Sequence, residues 1–506
     1  MKKRSTNHSN CGKRGSTGFC AAVRLSIFII LALFCLAAVP GCAGSGDGKP
    51  AEDTGAGSGT GEEDASSAAP ETTAEPEPVF RTENGLTYTA EGYKSAEEGV
   101  ISFRKETLLT FDSPVAPGGF NRVSLVYSAS GPVKITLSYA LGTIDAVDVF
   151  YLEAGEGAEF RGLISTYLDG ITGTGIKSVK LTPLKGTTDF ELVSFAAETA
   201  EALQGGVYYL ENNRYRVGIR LSWGGGVNCI EDKQCPVEGL SNLINSHDTG
   251  RLIQQSYYGT AGNSKYTPGE FNGSKWSYNP VQGGDKYGNA SLLIDFEVTE
   301  NSVYVKSQPQ DWSLNGKITP SYMENRYTLD GNLIRVDNRF VDFSGWEHRY
   351  AHQELPAFYT VSYLDRFVYY SGAAGWTGGE VTVKDGLQFW GDAAYADSCR
   401  FTMKKGNDET WCAWVSSQDD YGIGLFVPGI DQLYAGRFGY NGSKSSSDSA
   451  TNYVAPLLTL KLESFKPVEY SYLITTGSAA EIRQAFYENR DFADNSSLRE
   501  ICRSMR

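Results

Sequence analysis

The chain has 506 residues and carries 45 Lys and Arg against 60 Asp and Glu, a formal net charge of −15. This length is enough for two or three domains with sizeable cores. The acidic balance excludes recognition of a nucleic-acid backbone, which requires a basic footprint. Positive charge is concentrated in the first 24 residues, which hold six Lys or Arg and no acid.

The N-terminus is typical of a bacterial export signal. The basic segment is followed by an unbroken apolar run from Leu25 to Val39. A membrane-spanning helix needs about 20 residues, so this shorter run has the length of a signal core. The sequence Val39-Pro40-Gly41-Cys42 resembles a lipobox. We therefore expect residues 1–42 to be a lipoprotein signal peptide with Cys42 as the lipidation site; an uncleaved signal anchor is the alternative.

A polar acidic stretch follows the signal. Residues 43–78 contain no large apolar side chain, and such a composition cannot offset the entropy of ordering. The sequence thus predicts a disordered linker and an extracytoplasmic body that is tied to the cell membrane only through a lipid.

Short alternating segments fill residues 79–202. In Pro132–Tyr139 and Arg122–Tyr127, apolar and polar side chains alternate with the period of a strand. Further predicted strands are Glu106–Phe111, Val147–Leu152, Ser178–Thr182 and Phe190–Phe195. Many short strands in so few residues predict a β-sandwich. It resembles the jelly-roll sandwiches that accompany carbohydrate-active enzymes, and we take it as a candidate carbohydrate-binding module.

Residues 205–490 are again β-rich but more aromatic. The predicted strands include Tyr304–Lys306, Ile334–Phe340, Phe367–Tyr370, Val381–Val383, Gly422–Val427, Leu457–Leu462 and Glu469–Ile474. Only Ala479–Asn489 has the pattern of a short helix, and residues 491–506 form a tail. A long stretch of strands without repeats favours one large sandwich over two smaller ones.

Five cysteines lie in the body of the chain. Cys399 and Cys412 flank a turn-like Lys-Gly-Asn-Asp centre, which predicts a hairpin that places them opposite each other. Cys229 and Cys235 close a short polar loop, and Cys502 is left over. Two local disulfides suit an exported protein; five reduced thiols are the alternative. The chain has no Cys-x-x-Cys pair, so we expect neither structural zinc nor another cofactor.

The chain has only four histidines, and three of them fall in two polar stretches. His247 lies in the first stretch, Asn245–Asp285, whereas His348 and His352 lie in the second, Trp346–Pro356. In an extended strand His352 and Glu354 point to one face, with Cβ atoms roughly 6–7 Å apart. This spacing suits a general acid/base pair; a buried His–carboxylate contact is the alternative. His348 would lie roughly 13 Å from His352, too far for one metal ion to bind both.

Carboxylates offer a second interpretation, because glycoside hydrolysis canonically uses two of them. Glu354, Glu347, Asp285, Asp248 and Glu324 are candidates, and we add Asp285 to His352 and Glu354 as a predicted catalytic residue. Aromatic, amide and charged side chains of the first polar stretch are those that bind sugar rings and hydroxyls or uronates. The predicted substrate-binding residues are His247, Arg251, Gln255, Tyr257, Trp276, Tyr278 and Gln282.

The region from 205 to 490 resembles the galactose-mutarotase-like β-supersandwich superfamily. The resemblance depends on the run from Trp414 through Gly422–Pro428 to Tyr472–Gly477 and the short helix after it. It implies a large supersandwich that binds sugars on a concave sheet face, often with a His and a Glu. The superfamily includes sugar epimerases, polysaccharide lyases and accessory domains of glycoside hydrolases.

The leading hypothesis is an exported lipoprotein that binds and cleaves a glycan, as a hydrolase or as a lyase. In the lyase variant, His or Tyr would abstract the proton beside a uronate while Arg251 neutralises its carboxylate. The alternative from a different class is a non-catalytic surface protein that binds glycans. An epimerase is a third, weaker option, since a tethered lipoprotein suits polymers better than free sugars.

Overall fold

The computed structural model describes residues 78–388, 399–493 and 495. The predicted signal peptide with Cys42, nearly all of the linker 43–78, Cys502 and most of the tail 491–506 lie outside them. Within the described part, no helix is long and apolar enough to span a membrane. The architecture is all-β, as the sequence predicts.

The first β-sandwich is built from eleven strands in two antiparallel sheets. In chain order they are β1 (Val79–Arg81), β2 (Thr87–Glu91), β3 (Ser95–Glu97), β4 (Val100–Phe103), β5 (Thr107–Val115), β6 (Arg122–Ala129), β7 (Val133–Leu141), β8 (Ile144–Leu152), β9 (Gly155–Leu163), β10 (Thr174–Pro183) and β11 (Thr188–Glu198). One sheet has the order β1-β2-β5-β10-β7-β8 and the other β3-β4-β11-β6-β9.

Strict alternation explains why these segments form a sandwich. Along β6 and most of β7 every second residue is buried, so each strand offers one apolar face. The buried faces of both sheets meet in one core, where Phe111 stacks on Phe195 with ring centroids 5.2 Å apart. The predicted N-terminal β-sandwich is therefore confirmed.

The larger sandwich contains the remaining strands and one α-helix. They are β12 (Val207–Glu211), β13 (Tyr215–Arg220), β14 (Gly226–Asp232), β15 (Ile253–Ser256), β16 (Gly269–Phe271), β17 (Ser274–Trp276), β18 (Pro280–Val281), β19 (Leu292–Val298), β20 (Ser302–Gln308), β21 (Gln310–Asp311), β22 (Ser321–Asp330), β23 (Leu333–Asp342), β24 (Glu347–Val361), β25 (Arg366–Tyr369), β26 (Thr382–Asp385), β27 (Arg400–Thr402), β28 (Trp411–Val415), β29 (Gly422–Phe426), β30 (Gln432–Phe438), β31 (Thr451–Glu463), β32 (Val468–Gly477) and α1 (Ala479–Glu488).

Two large antiparallel sheets form this body. The ten-stranded sheet has the order β12-β13-β14-β15-β24-β31-β30-β27, with β18 and β21 attached beside β15. The nine-stranded sheet has the order β19-β20-β22-β23-β32-β29-β28-β25-β26. Their inner faces share one apolar core that includes Phe358 and Val454 from the first sheet and Trp414 and Ile423 from the second. The predicted large sandwich is confirmed.

Helix α1 covers the outer face of the nine-stranded sheet. Ser478 and Glu481 cap its first turn reciprocally. The buried Ile482 and Phe486 pack in a cluster with strands β28 and β29. Gly424 on β29 admits the helix, because a Cβ added there would lie 2.3 Å from Ile482 Cγ2.

The predicted hairpin between Cys399 and Cys412 is wrong. The turn exists, since Asn407 N–H donates to the Lys404 carbonyl, but it connects two sheets. Strand β27 pairs with β30 in the ten-stranded sheet, whereas β28 pairs with β25 and β29 in the other. Every residue of β28 is buried, so this strand requires cover on both faces and a central position. The thiols of Cys229, Cys235 and Cys412 are free.

Polar contacts join the two sandwiches. Arg161 of β9 forms a salt bridge of 2.8 Å with Asp295 of β19. The backbone N–H of Tyr151 donates to the Tyr322 hydroxyl at 2.8 Å. Arg339 of β23 reaches Glu153, with 2.6 Å between Nη2 and Oε2. The N-terminal sandwich is thus bonded to the strands of the larger one.

Candidate functional site

Glu354 lies in the middle of β24 on the outer face of the ten-stranded sheet. Directly opposite it are Ser256 on β15 and Leu457 on β31. The next residue back along the strand, Gln353, is fully buried on the other side. Alternation therefore places His352 and Glu354 on the same outer face, as the sequence predicts for an extended strand.

Two tyrosine hydroxyls hold the Glu354 carboxyl. Tyr258 donates to Oε1 at 3.1 Å and Tyr453 donates to the same oxygen at 2.6 Å. Burial raises the pKa of Glu354, although these hydrogen bonds act in the opposite direction. The carboxyl therefore keeps its proton to a higher pH than an ordinary glutamate, which is the property of a general acid.

Further tyrosines extend this surface, which we call the aromatic face: Tyr258, Glu354, Tyr359, Tyr434 and Tyr453. The rings of Tyr359 and Tyr453 lie 4.7 Å apart between centroids, and Tyr434 stands edge-on to Tyr453 at 6.3 Å. Burial raises the pKa values of Tyr258 and Tyr453 far above the ordinary value. These hydroxyls thus remain protonated donors at neutral pH.

His352 has a partner other than Glu354. Its Nδ1 lies 2.8 Å from the Thr459 hydroxyl, directly across the β24–β31 pair. Burial, with a smaller contribution from the positive charge of Arg400, lowers the pKa of His352. The lowered pKa of His352 favours a proton acceptor and the raised pKa of Glu354 favours a proton donor, and both groups lie on the same face.

Arg251 and Trp276 flank the aromatic face. Arg251 donates to the Ser449 carbonyl at 2.6 Å, and its charge lowers the pKa of Tyr359 against the larger effect of burial. The Trp276 ring lies 6.2 Å from the Tyr258 ring, edge-on. His247 is near Arg251 in sequence and is bonded through Nδ1 to the Ser447 carbonyl at 2.8 Å.

Three of the predicted substrate-binding residues lie in the interior instead. Gln255 and Gln282 are fully buried, and both side-chain amides donate to the Asn325 side chain of the nine-stranded sheet, at 3.1 and 2.7 Å. Tyr257 stacks on Phe340 at 4.1 Å. The predicted role of these residues is wrong for this conformation, because burial keeps them from contact with a substrate.

Tyr278 and His348 form a second buried group. Their rings stack with centroids 5.4 Å apart, and both contact Asp342. The Thr260 N–H donates to His348 Nδ1, so the ring proton resides on Nε2 and faces Asp342 Oδ2 at 3.1 Å. His348 is therefore a satisfied core histidine, and Tyr278 is not available to a ligand.

Asp285 is a buried loop carboxylate that lies apart from the aromatic face. Its oxygens accept from the backbone N–H groups of Tyr287, Asn289 and Gly316, and from the Asn289 amide, at 2.7–2.9 Å. Its exposed fraction is 0%. Asp285 thus stabilises the turn. The structure does not support the predicted catalytic role, because the side chain is not accessible to a substrate.

Tyr359, Tyr434 and Tyr453 belong to the aromatic face but were missed by the sequence reasoning. No signal in the sequence marks them: the first eight residues of β31 are all buried, so no alternation distinguishes the face that carries Tyr453. Within the described residues no group of His, Cys, Asp and Glu could hold a metal ion. What the arrangement can do chemically is donate a proton from Glu354 and stack an apolar ring face on tyrosines.

The comparisons with known proteins return fold likenesses only. No family model matches the sequence, and a search of curated proteins gives no match. A galactose mutarotase related enzyme from Lactobacillus acidophilus is 12% identical over 54% of this chain and 97% of that chain, with a TM-score of 0.33. A galactose mutarotase-like protein from Lactobacillus casei is 11% identical over 54% of this chain and 100% of that chain, with a TM-score of 0.33.

A longer enzyme also matches. An alpha-mannosidase from Enterococcus faecalis is 11% identical over 79% of this chain and 43% of that chain, with a TM-score of 0.34. At these scores the likenesses assign neither a family nor an activity to this chain. The function must therefore be argued from its own residues.

Proposed function

We propose that this protein binds a glycan on the aromatic face and that Glu354 serves as the acid in its cleavage. One observation carries the proposal: the carboxyl of Glu354, a residue of intermediate exposure, has a raised pKa and is held by two tyrosine hydroxyls among aromatic rings. Aromatic rings stack on the apolar faces of pyranoses, and hydroxyls and carboxyls bind sugar oxygens. A protonated carboxyl is the group that glycosidic bond cleavage requires.

The proposed chemistry is proton transfer to the leaving oxygen. Glu354 donates its proton to the glycosidic oxygen as the C–O bond breaks. In hydrolysis a water molecule attacks the sugar carbon and returns a proton, for which the neutral His352 is the acceptor on the same face. In elimination His352 instead takes the proton from C5, the carbon next to the uronate carboxylate, and a C4–C5 double bond forms as the C4–O bond breaks and Glu354 protonates the leaving oxygen. Tyr258 and Tyr453 orient the Glu354 carboxyl in either case.

The site of action is proposed from the N-terminal sequence. The basic segment, the short apolar core and the lipobox-like Val39-Pro40-Gly41-Cys42 support export and lipid attachment at Cys42. A lipoprotein of this kind would carry the aromatic face outside the cytoplasmic membrane, where polymeric glycans are found.

A non-catalytic glycan-binding protein is the second candidate, and one observation favours it. Hydrolysis canonically uses two carboxylates, but Asp285 is buried in its loop and Glu324 is paired with Arg339 at 2.8 Å. Asp248 is close enough for its charge to act on Tyr359, but it is paired with Arg251 at 3.3 Å. In this alternative the aromatic face holds a sugar while Glu354 acts only as a hydrogen-bond donor.

A product screen with the purified full-length protein in detergent tests the proposal. The protein is incubated with a panel of polysaccharides while new reducing ends and the ultraviolet absorbance of unsaturated uronates are followed. New ends without absorbance identify hydrolysis, and absorbance identifies a lyase. Glu354→Gln should lower turnover at least about 100-fold. Glu347→Gln is the matched control, because its side chain lies on the same strand but is 89% exposed.

The two candidates give different results in this screen. Turnover that survives Glu354→Gln would contradict the acid role. Binding of one glycan by wild type and by Glu354→Gln, without turnover of any polymer by either, would favour the non-catalytic candidate.

A further inference from the structure

A cleft of about 690 Å³ lies beside helix α1, on the outer side of the nine-stranded sheet. One wall is the loop that contains Trp376, and the other is the helix, which presents Gln484 and Tyr487. The rings of Trp376 and Tyr487 lie 6.1 Å apart between centroids and are tilted by 53°. Two aromatic side chains thus face a cavity large enough for sugar rings.

The backbone of Trp376 is held in an unusual conformation. Its φ of +60° falls in the left-handed region, which is a genuine outlier for a bulky residue. The Trp376 N–H donates to Oε2 of the buried Glu409 at 2.7 Å. The Glu409 carboxylate also binds Arg483 of the helix, with 2.6 Å between Nε and Oε1. One buried carboxylate therefore fixes both walls, and the cleft is shaped before any ligand arrives.

Two acidic side chains line the cleft together with Arg483 and Gln484. Glu380 and Asp420 line it and are exposed. Across the described residues, neither side chain takes part in a hydrogen bond or a salt bridge. The positive charge of Arg483 is paired with Glu409, so the lining itself keeps a negative balance; outside the lining, Arg490 lies over the Tyr487 ring at 4.7 Å and Arg366 interacts with Asp420. An anionic ligand would be repelled, whereas sugar hydroxyls can donate to both carboxylates.

We propose that this cleft is a second glycan-binding site, specific for neutral sugars. Trp376 and Tyr487 would stack on the apolar faces of pyranose rings, and Glu380, Asp420 and Gln484 would bind their hydroxyls. The cleft belongs to the outer side of the nine-stranded sheet, whereas Glu354 lies on the outer side of the ten-stranded sheet. The two sites are therefore separate, and binding in this cleft does not depend on the proposed role of Glu354.

Binding measurements on the full-length protein in detergent test this site. The probes are soluble oligosaccharides of β-1,4-glucan, β-1,4-xylan, β-1,4-mannan and α-1,4-glucan, with oligogalacturonate as the anionic probe. Tyr487→Ala should weaken binding of the neutral ligand by about tenfold. Trp376→Phe retains a ring and should weaken it less. Binding lost in Tyr487→Ala and turnover lost in Glu354→Gln are separate readouts, so failure here and failure of the acid role are distinguishable.

Tyr287→Ala is the matched control for Tyr487→Ala. Tyr287 is 55% exposed and Tyr487 40%, and each ring carries a cation, Lys286 at 4.9 Å and Arg490 at 4.7 Å. The Tyr287→Ala variant should bind the neutral oligosaccharide with wild-type affinity. The proposal is overturned if no neutral oligosaccharide binds, or if Tyr487→Ala binds as wild type does. Tetramethylammonium serves as a cationic probe. The proposal is also overturned if the ligand whose binding depends on Tyr487 is oligogalacturonate or tetramethylammonium instead of a neutral sugar.

Discussion

The two outer faces of the large sandwich differ in what covers them and in the side chains they carry. On the nine-stranded sheet, helix α1 buries Ile482 and Phe486 against the apolar side chains of β28 and β29. On the ten-stranded sheet, Tyr359 and Tyr453 surround the ionisable Glu354. The inner faces of both sheets share one apolar core. The comparison teaches that a sheet face with hydroxyls and a carboxyl stays available for chemistry, whereas the apolar patch on β28 and β29 is covered by helix α1 and leaves only the cleft beside the helix.

The largest effect should come from opening the covered face. Phe486→Ala removes a fully buried ring between helix α1 and the nine-stranded sheet. We expect the free energy of unfolding to fall by about 3–5 kcal/mol, as for other buried aromatic residues. Denaturant unfolding measures it, with the exposed Glu488→Ala as control. A loss below about 1 kcal/mol would mean that the helix does not close this face.

A smaller loss is expected where a predicted catalytic residue has a structural role. Asp285→Asn replaces a carboxylate that accepts four hydrogen bonds by an amide with one acceptor oxygen. The free energy of unfolding should fall by about 1–3 kcal/mol. Turnover by the folded fraction, measured well below the melting temperature, should stay at the wild-type value. A selective loss of kcat with unchanged stability would restore Asp285 as a catalytic residue.

On the aromatic face a single hydroxyl should matter for chemistry more than for folding. Tyr453→Phe removes the donor that lies 2.6 Å from Glu354 Oε1. One net hydrogen bond contributes about 1 kcal/mol, so kcat should fall roughly fivefold to tenfold. The pH profile of kcat should move to higher pH as well, because this hydrogen bond lowers the pKa of Glu354. An unchanged pH profile would show that Tyr453 does not influence the titration of the Glu354 carboxyl.

The smallest effect is a pH dependence of stability. Burial raises the pKa of Glu354 in the folded protein, so its stabilising contribution is complete below the ordinary glutamate pKa and is lost as the pH rises through the folded value. Glu354→Gln does not titrate in either state. The free energy of unfolding of Glu354→Gln minus that of wild type should therefore increase with pH across this window and then level off. A difference that stays flat would show that the carboxyl is not perturbed.

Much of the fold follows from local patterns. The predicted strand Pro132–Tyr139 becomes β7, and the predicted helix Ala479–Asn489 becomes α1. Alternation and a capping residue are properties of neighbouring positions, so a single sequence contains them. The Cys399–Cys412 hairpin failed for the opposite reason. The turn was local, but the sheet that each strand joins depends on cover supplied by helix α1, which follows them in the chain.

The site was predictable only in part. The alternation of β24 places His352 and Glu354 on one face, and Arg251 and Trp276 flank that face. Gln255 points into the interior, towards Asn325. All four residues of β15 are buried, so the sequence of this short strand does not show which of its faces is the inner one. The tyrosines of the aromatic face come from β24, β30 and β31. Their proximity depends on the register between distant strands, which one sequence does not contain.

The bonds between the two sandwiches have a consequence for how the protein unfolds. Arg339 pairs with Glu153 of the first sandwich and Glu324 of the second, and Arg161 pairs with Asp295 across the same junction. Melting either sandwich leaves these buried or half-buried charges without partners. Scanning calorimetry should consequently record one cooperative transition for the two bodies, and limited proteolysis should not release the first sandwich as a stable fragment.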